Sequence, residues 1–156
     1  MSPRDRVVAG AQAALQRLLG ETGASRTTLR LDDSAFGFHI DDVVAEALAP
    51  GERTMRAEGT INHRAANTAQ WVEQHRRILV QDDLAATEFP APTGLTQGFG
   101  VKAQMLAPIE REGRLDGWVS VHEAKAPRVW SDADQQAART TVQTVLALLA
   151  DEPPPR

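Results

Sequence analysis

The chain has 156 residues, a length typical of one domain that buries roughly 70% of the surface exposed by its unfolded chain. It contains no cysteine, which excludes disulfides, thiolate metal ligands and a cysteine nucleophile. The net charge of −4, with scattered basic residues, argues against a nucleic-acid partner, and the lack of a signal-peptide core or membrane-length apolar run predicts a soluble, cytoplasmic protein of bacterial type.

The first third of the chain predicts one helix and two strands. Residues 2–20 repeat apolar side chains at three- and four-residue spacing, which indicates an amphipathic helix with Gly20 as its end. Residues 26–31 alternate in the manner of a strand and are followed by an acidic turn. The next apolar stretch combines β-branched residues with a helical spacing, and we place a strand at residues 43–47.

The remainder predicts a second helix, three strands and a long loop. Residues 67–77 contain good helix formers, and residues 78–80 form a short apolar strand. Residues 85–100 hold prolines, glycines and threonines and predict a long loop beside a site. Residues 101–109 and 115–122 both alternate and are joined by a polar turn, which predicts a hairpin.

The C-terminal segment predicts a helix that begins with an N-terminal capping signal. Ser131 precedes two aspartates, which is typical of an N-cap followed by an acidic first turn, and the apolar stripe continues to about Ala150. Prolines then end the helix. We therefore expect one domain over residues 1–151 and a proline-rich disordered tail at 152–156.

Four segments resemble the sequence pattern of GAF domains. GVKAQMLAPI at 100–109, LDGWVSVH at 115–122 and RVWSDAD at 128–134 are similar to the family's closing strand, glycine turn, strand and capped helix, and ILVQDDL at 78–84 is similar to its middle strand. The resemblance covers nearly the whole chain. It implies an α+β fold in which the N- and C-terminal helices pack on one face of an antiparallel sheet and a ligand pocket lies under loops on the other.

The resemblance implies a fold more than a single function. Members of the GAF family bind cyclic nucleotides, tetrapyrroles, aromatic acids, haem or metals, and one branch reduces methionine sulfoxide with cysteines. The absence of cysteine excludes that branch and a covalent bilin. We expect no cofactor, and because the sequence shows no output domain we expect the module to act alone or through a partner.

The last hairpin strand supplies the first candidate ligand residues. Asp116, Trp118, Ser120 and His122 share one face by the two-residue period of a strand, opposite a face made by Leu115, Gly117, Val119 and Val121. In a GAF-like sheet one of these faces lines the pocket, so Trp118, Ser120 and His122 become pocket candidates, with Gln104 from the paired strand. The alternative is that Trp118 belongs to the core and His122 ends an exposed strand.

The histidines give no metal-site pattern. His39, His63, His75 and His122 do not pair at the spacing that metal sites use, so no metal is expected. His63 and Arg64 precede the helix that holds Trp71 and present an imidazole and a guanidinium suited to an anionic ligand. The alternative places both residues on the surface at the start of that helix.

Two acidic positions near the long loop are candidates for a general base. Asp82 and Glu88 would need burial to raise their pKa toward neutrality, and most such residues are solvated turn formers. Asp82 could equally accept backbone N–H groups and fix the loop. No phosphate-binding, dinucleotide, esterase or zinc-protease motif is present.

Three functions therefore stand as hypotheses. The leading one is a homodimeric sensor, paired through its terminal helices, that binds a small anionic or aromatic cytosolic metabolite, with Trp71 and Trp118 as walls and His63, Arg64 and Gln104 as anchors. The second is a cofactor-independent hydrolase, hydratase or isomerase, with Asp82 or Glu88 as base and His39, His63 or His122 as acid. The third is a structural dimerisation module whose pocket is filled by side chains.

Overall fold

The computed structural model describes residues 1–57, 62–87 and 90–151. Glu88 and the predicted tail at 152–156 lie outside the described residues. The helices and strands, in chain order, are α1 Pro3–Thr22, β1 Arg26–Leu31, β2 Ala45–Leu48, α2 Asn67–His75, β3 Leu79–Gln81, β4 Ala103–Arg111, β5 Arg114–Glu123 and α3 Asp132–Asp151. Short helical turns occur at Met55–Ala57, His63–Ala65 and Gly94–Gly98, the last within the predicted loop.

The described strands form one five-stranded antiparallel sheet in the order β2-β1-β5-β4-β3. The two longest strands, β4 and β5, form the predicted hairpin and lie side by side in the sheet. Helices α1 and α3 pack against each other and against one face of the sheet. The predicted α+β architecture is therefore confirmed. No helix in the described part of the chain is long and apolar enough to cross a lipid bilayer.

The main core lies between the sheet and the two terminal helices. Leu15 and Leu18 of α1 and Val145 of α3 meet strand residues such as Leu29 and Val119, all of them at most 1% exposed. Fully burying one such side chain contributes about 1.5–3 kcal/mol relative to leaving it exposed. The helices bury one face of each long strand in this core. The opposite face of the sheet can therefore carry polar side chains.

The end of α1 differs from the predicted one. Gly20 lies inside the helix, which continues to Thr22 and is capped by Gly23 with a left-handed φ of 64°. The N–H of Gly23 donates to the carbonyl of Leu19, so Gly23 satisfies a carbonyl that the helix leaves open. Glycine tolerates positive φ without a steric penalty, and it was the second of two nearby glycines that provided this stop.

Several further boundaries shift by one or two residues, and β4 runs over Ala103–Arg111 rather than 101–109. Strand β2 begins at Ala45 rather than residue 43, and α2 ends at His75 because Arg76 takes a left-handed φ of 54°. Strand β3 then begins at Leu79. Each shift occurs at an element end, where backbone hydrogen bonds and caps, and not hydrophobic periodicity, decide the last residue.

A β-bulge places Leu115 on the face of the sheet opposite to the predicted one. The pairing of β4 with β5 shifts register between Ile109 and Glu110, so Leu115 packs with Trp118 in a second apolar cluster beneath α2. Asp116 instead bonds Arg111 and Arg114. The two-residue period therefore holds from Gly117 onward and fails at the bulge, because the extra residue rotates the strand.

The start of α3 matches its prediction. The N–H of Asp134 donates to Oγ of Ser131 at 3.0 Å, and the N–H of Ser131 donates back to Oδ2 of Asp134 at 3.0 Å. This reciprocal cap satisfies two backbone donors at the helix start. The preceding Trp130 is buried, and its indole N–H donates to the carbonyl of Gln81 at 3.2 Å, which fixes the helix entry to the end of β3.

The outward faces of α1 and α3 carry small and polar residues. Among the described residues the exposed large hydrophobic side chains are Met1 and Val129, and neither lies within α1 or α3. Val8 and Leu19 of α1 and Leu146 and Leu148 of α3 are half-buried at the margin of the core. The homodimer stays a prediction.

Candidate functional site

The sheet face turned away from α1 and α3 carries polar side chains in aligned rows. Arg26 lies opposite His122, Thr28 opposite Ser120, and Arg30 opposite Trp118, in the register that joins β1 to β5. Strand β4 extends all three rows, because Gln104 pairs with His122, Leu106 with Ser120 and Pro108 with Trp118. Successive side chains alternate across a sheet, so these residues share one face by backbone geometry.

A cavity of about 90 Å³ lies over these rows. One water requires roughly 10–15 Å³ on this measure, so the cavity has room for several waters or a small organic molecule. It is smaller than the roughly 300–1,000 Å³ of typical drug-sized sites. The described residues that line it are Thr28, Arg30, Met55, His63, Ala66, Thr68, Ala69, Pro92, Gly94, Leu95, Gln104, Leu106, Trp118, Ser120 and His122.

Thr28 brings an unused hydroxyl to the cavity. Its side chain is 2% exposed, and Oγ1 has no hydrogen-bond partner among the described residues. A buried hydroxyl without a partner costs about 1–3 kcal/mol. Thr27, its neighbour on the helix face, instead donates to the carbonyl of Leu15 at 2.9 Å. Of these two neighbours, it is the cavity-facing threonine that lacks a partner among the residues the structure describes.

His122 is held as a neutral imidazole. Burial, together with the smaller effect of the positive charges of Arg26 and Arg30, lowers its pKa to about 3. Nη1 of Arg26 lies 3.4 Å from Nδ1 of His122. Since a guanidinium only donates, Nδ1 accepts and the imidazole proton resides on Nε2. His122 is therefore a hydrogen-bond donor or acceptor near neutral pH but no cation.

Arg26 ties the sheet to two segments around the cavity. Its Nη2 donates to the carbonyl of Arg53 at 2.8 Å and lies 3.7 Å from Oε2 of Glu52. Two guanidiniums lie over the ring of Phe99, with Arg26 5.0 Å and Arg53 4.9 Å from the ring centroid. Cation–π contacts of this kind contribute about 0.5–2 kcal/mol each. The residues after β2 and those before β4 are thereby joined to one buried side chain.

Gln104 belongs to a series of hydrogen-bonded side chains at the same end of the sheet. Its Nε2 donates to Oε1 of Gln81 at 2.8 Å, and Nε2 of Gln81 donates to the hydroxyl of Thr87 at 3.0 Å. Gln104 is 1% exposed. These bonds fix the orientation of the Gln104 amide, which a ligand anchor requires.

Arg30 supplies positive charge at the other end of the cavity. It is 4% exposed, and its Nη1 donates to the carbonyl of Asp41 at 2.9 Å. Arg30 is the permanently charged side chain among the described lining residues, and no aspartate or glutamate is among them. With Trp118, Leu106 and Leu95 as apolar walls, the cavity combines hydrogen-bond donors, one guanidinium and an apolar body.

The structure separates the predicted ligand residues into two groups. His63, Gln104, Trp118, Ser120 and His122 line the cavity. Arg64 and Trp71 do not belong to that lining.

Arg64 and Trp71 make contacts elsewhere. Nη2 of Arg64 donates to Oδ2 of Asp32 at 2.8 Å and to the carbonyl of Leu115 at 2.9 Å, in a charged cleft at the end of the sheet. Trp71 stacks on His75 with ring centroids 4.2 Å apart. Both residues follow His63 closely in sequence, but the turn at His63–Ala65 and helix α2 direct them away from the cavity.

The candidate catalytic groups do not converge among the described residues. Oδ1 of Asp82 accepts the N–H of Trp130 at 3.2 Å, and its carbonyl accepts the N–H of Arg128 at 3.0 Å. Asp82 thus holds the segment before α3 and is absent from the cavity lining. The His39 side chain is 66% exposed and lies 3.8 Å from Asp41. Of the described histidines, only His63 and His122 reach the cavity.

Sequence reasoning missed Thr28 and Arg30. The alternation over residues 26–31 already placed both on the face opposite Leu29 and Leu31. The missing information was that β1 lies next to β5, because sheet neighbours are set by topology. Once β1 pairs with β5, the polar face of β1 extends the predicted face of Trp118, Ser120 and His122.

Charged side chains in the cleft beside Arg64 form ion pairs with one another. Arg111 bonds Asp33 and Asp116, each at 2.7 Å. Burial by itself would lower the pKa of Arg111, but the hydrogen bonds and charges of the two aspartates outweigh it and raise the pKa. No group of three or more histidines, aspartates and glutamates suited to a metal ion occurs in the described ranges. These ion pairs stabilise the end of the sheet against the loop that follows β1.

An antiparallel sheet that carries two terminal helices on one face and encloses a cavity on the other defines a class of α+β domain. The sequence model of the GAF domain matches residues 8–149 of this chain. The chain therefore belongs to the GAF domain family, as the four sequence segments predicted. No curated protein sequence matches it significantly.

Solved structures of photoreceptor domains share this fold. The cyanobacteriochrome receptor PixJ superposes with a TM-score of 0.76 at 20% identity, over 97% of this chain and 100% of that one. The blue-light absorbing form of the PixJ GAF domain from Thermosynechococcus elongatus gives 0.73 at 23% identity, over 93% and 85%. A phycocyanobilin-bound GAF domain from a cyanobacterial phytochrome gives 0.71 at 17% identity, over 97% and 86%. At these identities the likeness establishes the fold.

Proposed function

We propose that this GAF domain is a sensor that binds a small anionic or aromatic metabolite in the cavity over β1, β4 and β5. The observation that carries the proposal is the buried Thr28 hydroxyl, which lines the cavity and has no partner among the described residues. A ligand that accepts its hydrogen bond would remove this cost. Family members with this fold that bind a small molecule, such as the phycocyanobilin-bound domain, are consistent with the proposal.

The enzyme hypothesis finds less support. It requires a carboxylate and an imidazole converging on one pocket, whereas the described cavity lining holds no carboxylate. His122, with its pKa lowered to about 3, carries no proton to donate as an imidazolium near neutral pH. Asp82 bonds backbone N–H groups instead. Binding without turnover therefore agrees better with the groups that reach the cavity.

The structural-module hypothesis also finds less support. It expects a pocket filled by side chains, but the cavity retains about 90 Å³ above a polar floor. A cavity kept only for packing is normally apolar, because polar groups lose hydrogen bonds there. The hydroxyls of Thr28 and Ser120 and the imidazole of His122 make this floor costly unless something polar occupies it.

Fluorine NMR of protein labelled with 5-fluorotryptophan tests the proposal. The chain has three tryptophans, of which Trp118 lines the cavity, Trp71 is half-buried on α2 outside the cavity lining and Trp130 is buried in the main core. We expect components of a cytosolic metabolite mixture to shift the Trp118 resonance and leave Trp71 and Trp130 unchanged. The Trp118→Phe variant assigns the resonance. A mixture that shifts no resonance, or shifts Trp71 alone, would contradict binding in this cavity.

A further inference from the structure

We propose that the ligand of this cavity is a single aromatic ring carrying an uncharged carbonyl group, which is held by the hydroxyls of Thr28 and Ser120 and by the Nε2–H of His122. This inference rests on the proposed function, since it names the ligand class for the same cavity. It adds Thr28 to the ligand contacts and orients the ligand. The carbonyl oxygen lies against the sheet, and the ring extends toward the segments around Met55 and Leu95 that cover the cavity.

The two hydroxyls of the cavity floor form one donor pair. Thr28 and Ser120 lie directly opposite each other in the register of β1 and β5, and both line the cavity. Side chains at such positions have Cβ atoms about 4.5–5.5 Å apart, so both hydroxyls can donate to the two lone pairs of one carbonyl oxygen. Oγ1 of Thr28 has no partner among the described residues, so an oxygen of the ligand would complete its hydrogen bonding.

His122 adds an uncharged donor beside this pair. It lies two residues from Ser120 on the same face of β5, and it lines the cavity. Its Nδ1 accepts from Nη1 of Arg26 at 3.4 Å, so the imidazole proton resides on Nε2. Because its pKa is lowered to about 3, the ring stays uncharged near neutral pH. An Nε2–H can only donate, so its partner on the ligand has to be an acceptor, which a carbonyl offers and an ammonium group lacks.

Two guanidiniums near the cavity are engaged within the fold. Nη1 of Arg30 donates to the carbonyls of Ile40 at 3.5 Å and Asp41 at 2.9 Å, and Arg30 takes part in a further interaction. Nη2 of Arg26 lies 3.7 Å from Oε2 of Glu52. Neither guanidinium is therefore assigned a bond to the ligand. The two hydroxyls and the imidazole N–H carry no charge, and because a buried ion needs a counter-charge, these donors suit an uncharged acceptor.

The apolar walls of the cavity suit one aromatic ring. Trp118 and Leu106 are buried on the sheet, and Leu95 and Met55 line the cavity from the covering segments. Contact between two aromatic rings is favourable beyond the burial of their area, so Trp118 favours an aromatic ligand over an aliphatic one. A volume of about 90 Å³ admits a single ring rather than a fused-ring system.

Four matched probes test the class. Titrations followed by the 5-fluorotryptophan resonance of Trp118 compare benzamide with benzoate, benzamidine and cyclohexanecarboxamide. Benzoate has the shape of the amide with a negative charge, benzamidine has that shape with a positive charge and no acceptor, and cyclohexanecarboxamide keeps the amide on a ring that is not aromatic. We expect benzamide to bind about tenfold or more tightly than benzoate and benzamidine, because it alone of the three offers an acceptor without a charge to desolvate. It should also bind more tightly than cyclohexanecarboxamide, because of the contact with Trp118.

Matched variants test the contacts. Thr28→Val removes the hydroxyl at nearly constant shape and should weaken benzamide binding about tenfold, and Ser120→Ala should weaken it in the same direction. Thr27→Val is the control, because its hydroxyl bonds the carbonyl of Leu15 on the helix face and is absent from the cavity lining. It should lower stability and leave affinity unchanged. Thermal unfolding of each variant establishes that it is folded before titration, and Ser120→Ala provides the second test if Thr28→Val fails to fold.

The outcomes separate the ligand class from the proposed function. The aromatic carbonyl assignment is overturned if benzoate, benzamidine or cyclohexanecarboxamide binds as tightly as benzamide, or if benzamide does not shift Trp118. Unchanged affinity in the folded Thr28→Val or Ser120→Ala variant would overturn the contacts. If other metabolites still shift Trp118, the cavity remains a sensor site for another class. If no probe and no metabolite shifts Trp118, both proposals fail together.

Discussion

Nη1 of Arg26 lies 3.4 Å from Nδ1 of His122, and both side chains are buried on the cavity side of the sheet. The contact places a permanent cation next to the imidazole, so protonation of His122 would put two positive charges in a low-dielectric site. Burial is the largest cause of its lowered pKa, and Arg26 and Arg30 add to it. The imidazole is consequently a fixed neutral donor over the physiological pH range.

The lowered pKa of His122 predicts a loss of stability in mild acid. Its pKa falls from 6.5 to about 3 on folding, so below about pH 6.5 the unfolded chain binds a proton that the folded chain does not. The free energy of unfolding should therefore decrease as pH falls from 6.5 toward 3, by up to about 1.4 kcal/mol per pH unit from this group. Above pH 6.5 the contribution is complete. Urea unfolding between about pH 7 and pH 4 measures the slope.

His122→Gln is the control for that slope. Glutamine keeps a polar side chain but has no group that titrates in this range. We expect the stability of the variant to depend less on pH than that of the natural chain between pH 6.5 and 4. Equal slopes for the two proteins would show that carboxylates elsewhere produce the acid sensitivity.

Phe99 should hold the segment before β4 in place. Its ring contacts the guanidiniums of Arg26 and Arg53, and replacing it with leucine removes both cation–π contacts while keeping an apolar side chain. A loss of about 1 kcal/mol predicts about fivefold faster amide hydrogen exchange in residues 94–101. Trp71→Leu is the control, because it removes the cation–π contact with Arg77, in which no residue of this segment takes part. Equal exchange in both variants would argue against the clamp.

Gly117 marks a close approach of β1 and β5. A Cβ at this position would lie 2.0 Å from the carbonyl oxygen of Arg30, so Gly117→Ala must push the two strands apart. We expect a loss of about 3 kcal/mol or more in the free energy of unfolding. Gly20→Ala is the matched control, since nothing lies within 4 Å of its Cβ and the residue is helical. That change should stabilise by about 0.5–1 kcal/mol, as measured by urea unfolding.

Arg64 should contribute to stability and not to ligand binding. Its guanidinium bonds Asp32 and the carbonyl of Leu115 outside the cavity lining. We expect Arg64→Met to cost about 1 kcal/mol of stability and to leave the affinity for the preferred ligand unchanged. Thermal unfolding and the Trp118 titration measure the two effects separately. Weaker binding in this variant would place Arg64 in the ligand site as the sequence pattern suggested.

The homodimer through the terminal helices remains to be tested. Ala147 is exposed on α3, and Ala147→Glu places a charge on the face that the predicted dimer would bury. We expect sedimentation analysis to show a dimer for the natural chain and a raised monomer fraction for this variant. Gln74→Glu on α2 adds the same charge away from that face and should leave the dimer intact. A monomeric natural chain at micromolar concentration would contradict the dimer.

The amino-acid sequence by itself determined the family, the element order and much of one cavity wall. Hydrophobic periods of 3.6 and 2 residues are local properties, and they predicted α1, β1, the β4–β5 hairpin and α3 because each element has to bury one face. The same local alternation placed Trp118, Ser120 and His122 on a common side, since a strand with one face in the core turns its other face away from it.

The tertiary structure alone decided which strands are neighbours and where side chains after a turn point. The pairing of β1 with β5 brought Thr28 and Arg30 to the cavity, and the bulge at Glu110 moved Leu115 to the opposite face. Arg64 left the predicted site because Asp32, distant in sequence, offered it a carboxylate. Such contacts join residues far apart along the chain, so no local pattern encodes them, and folding brings them together only when the core closes.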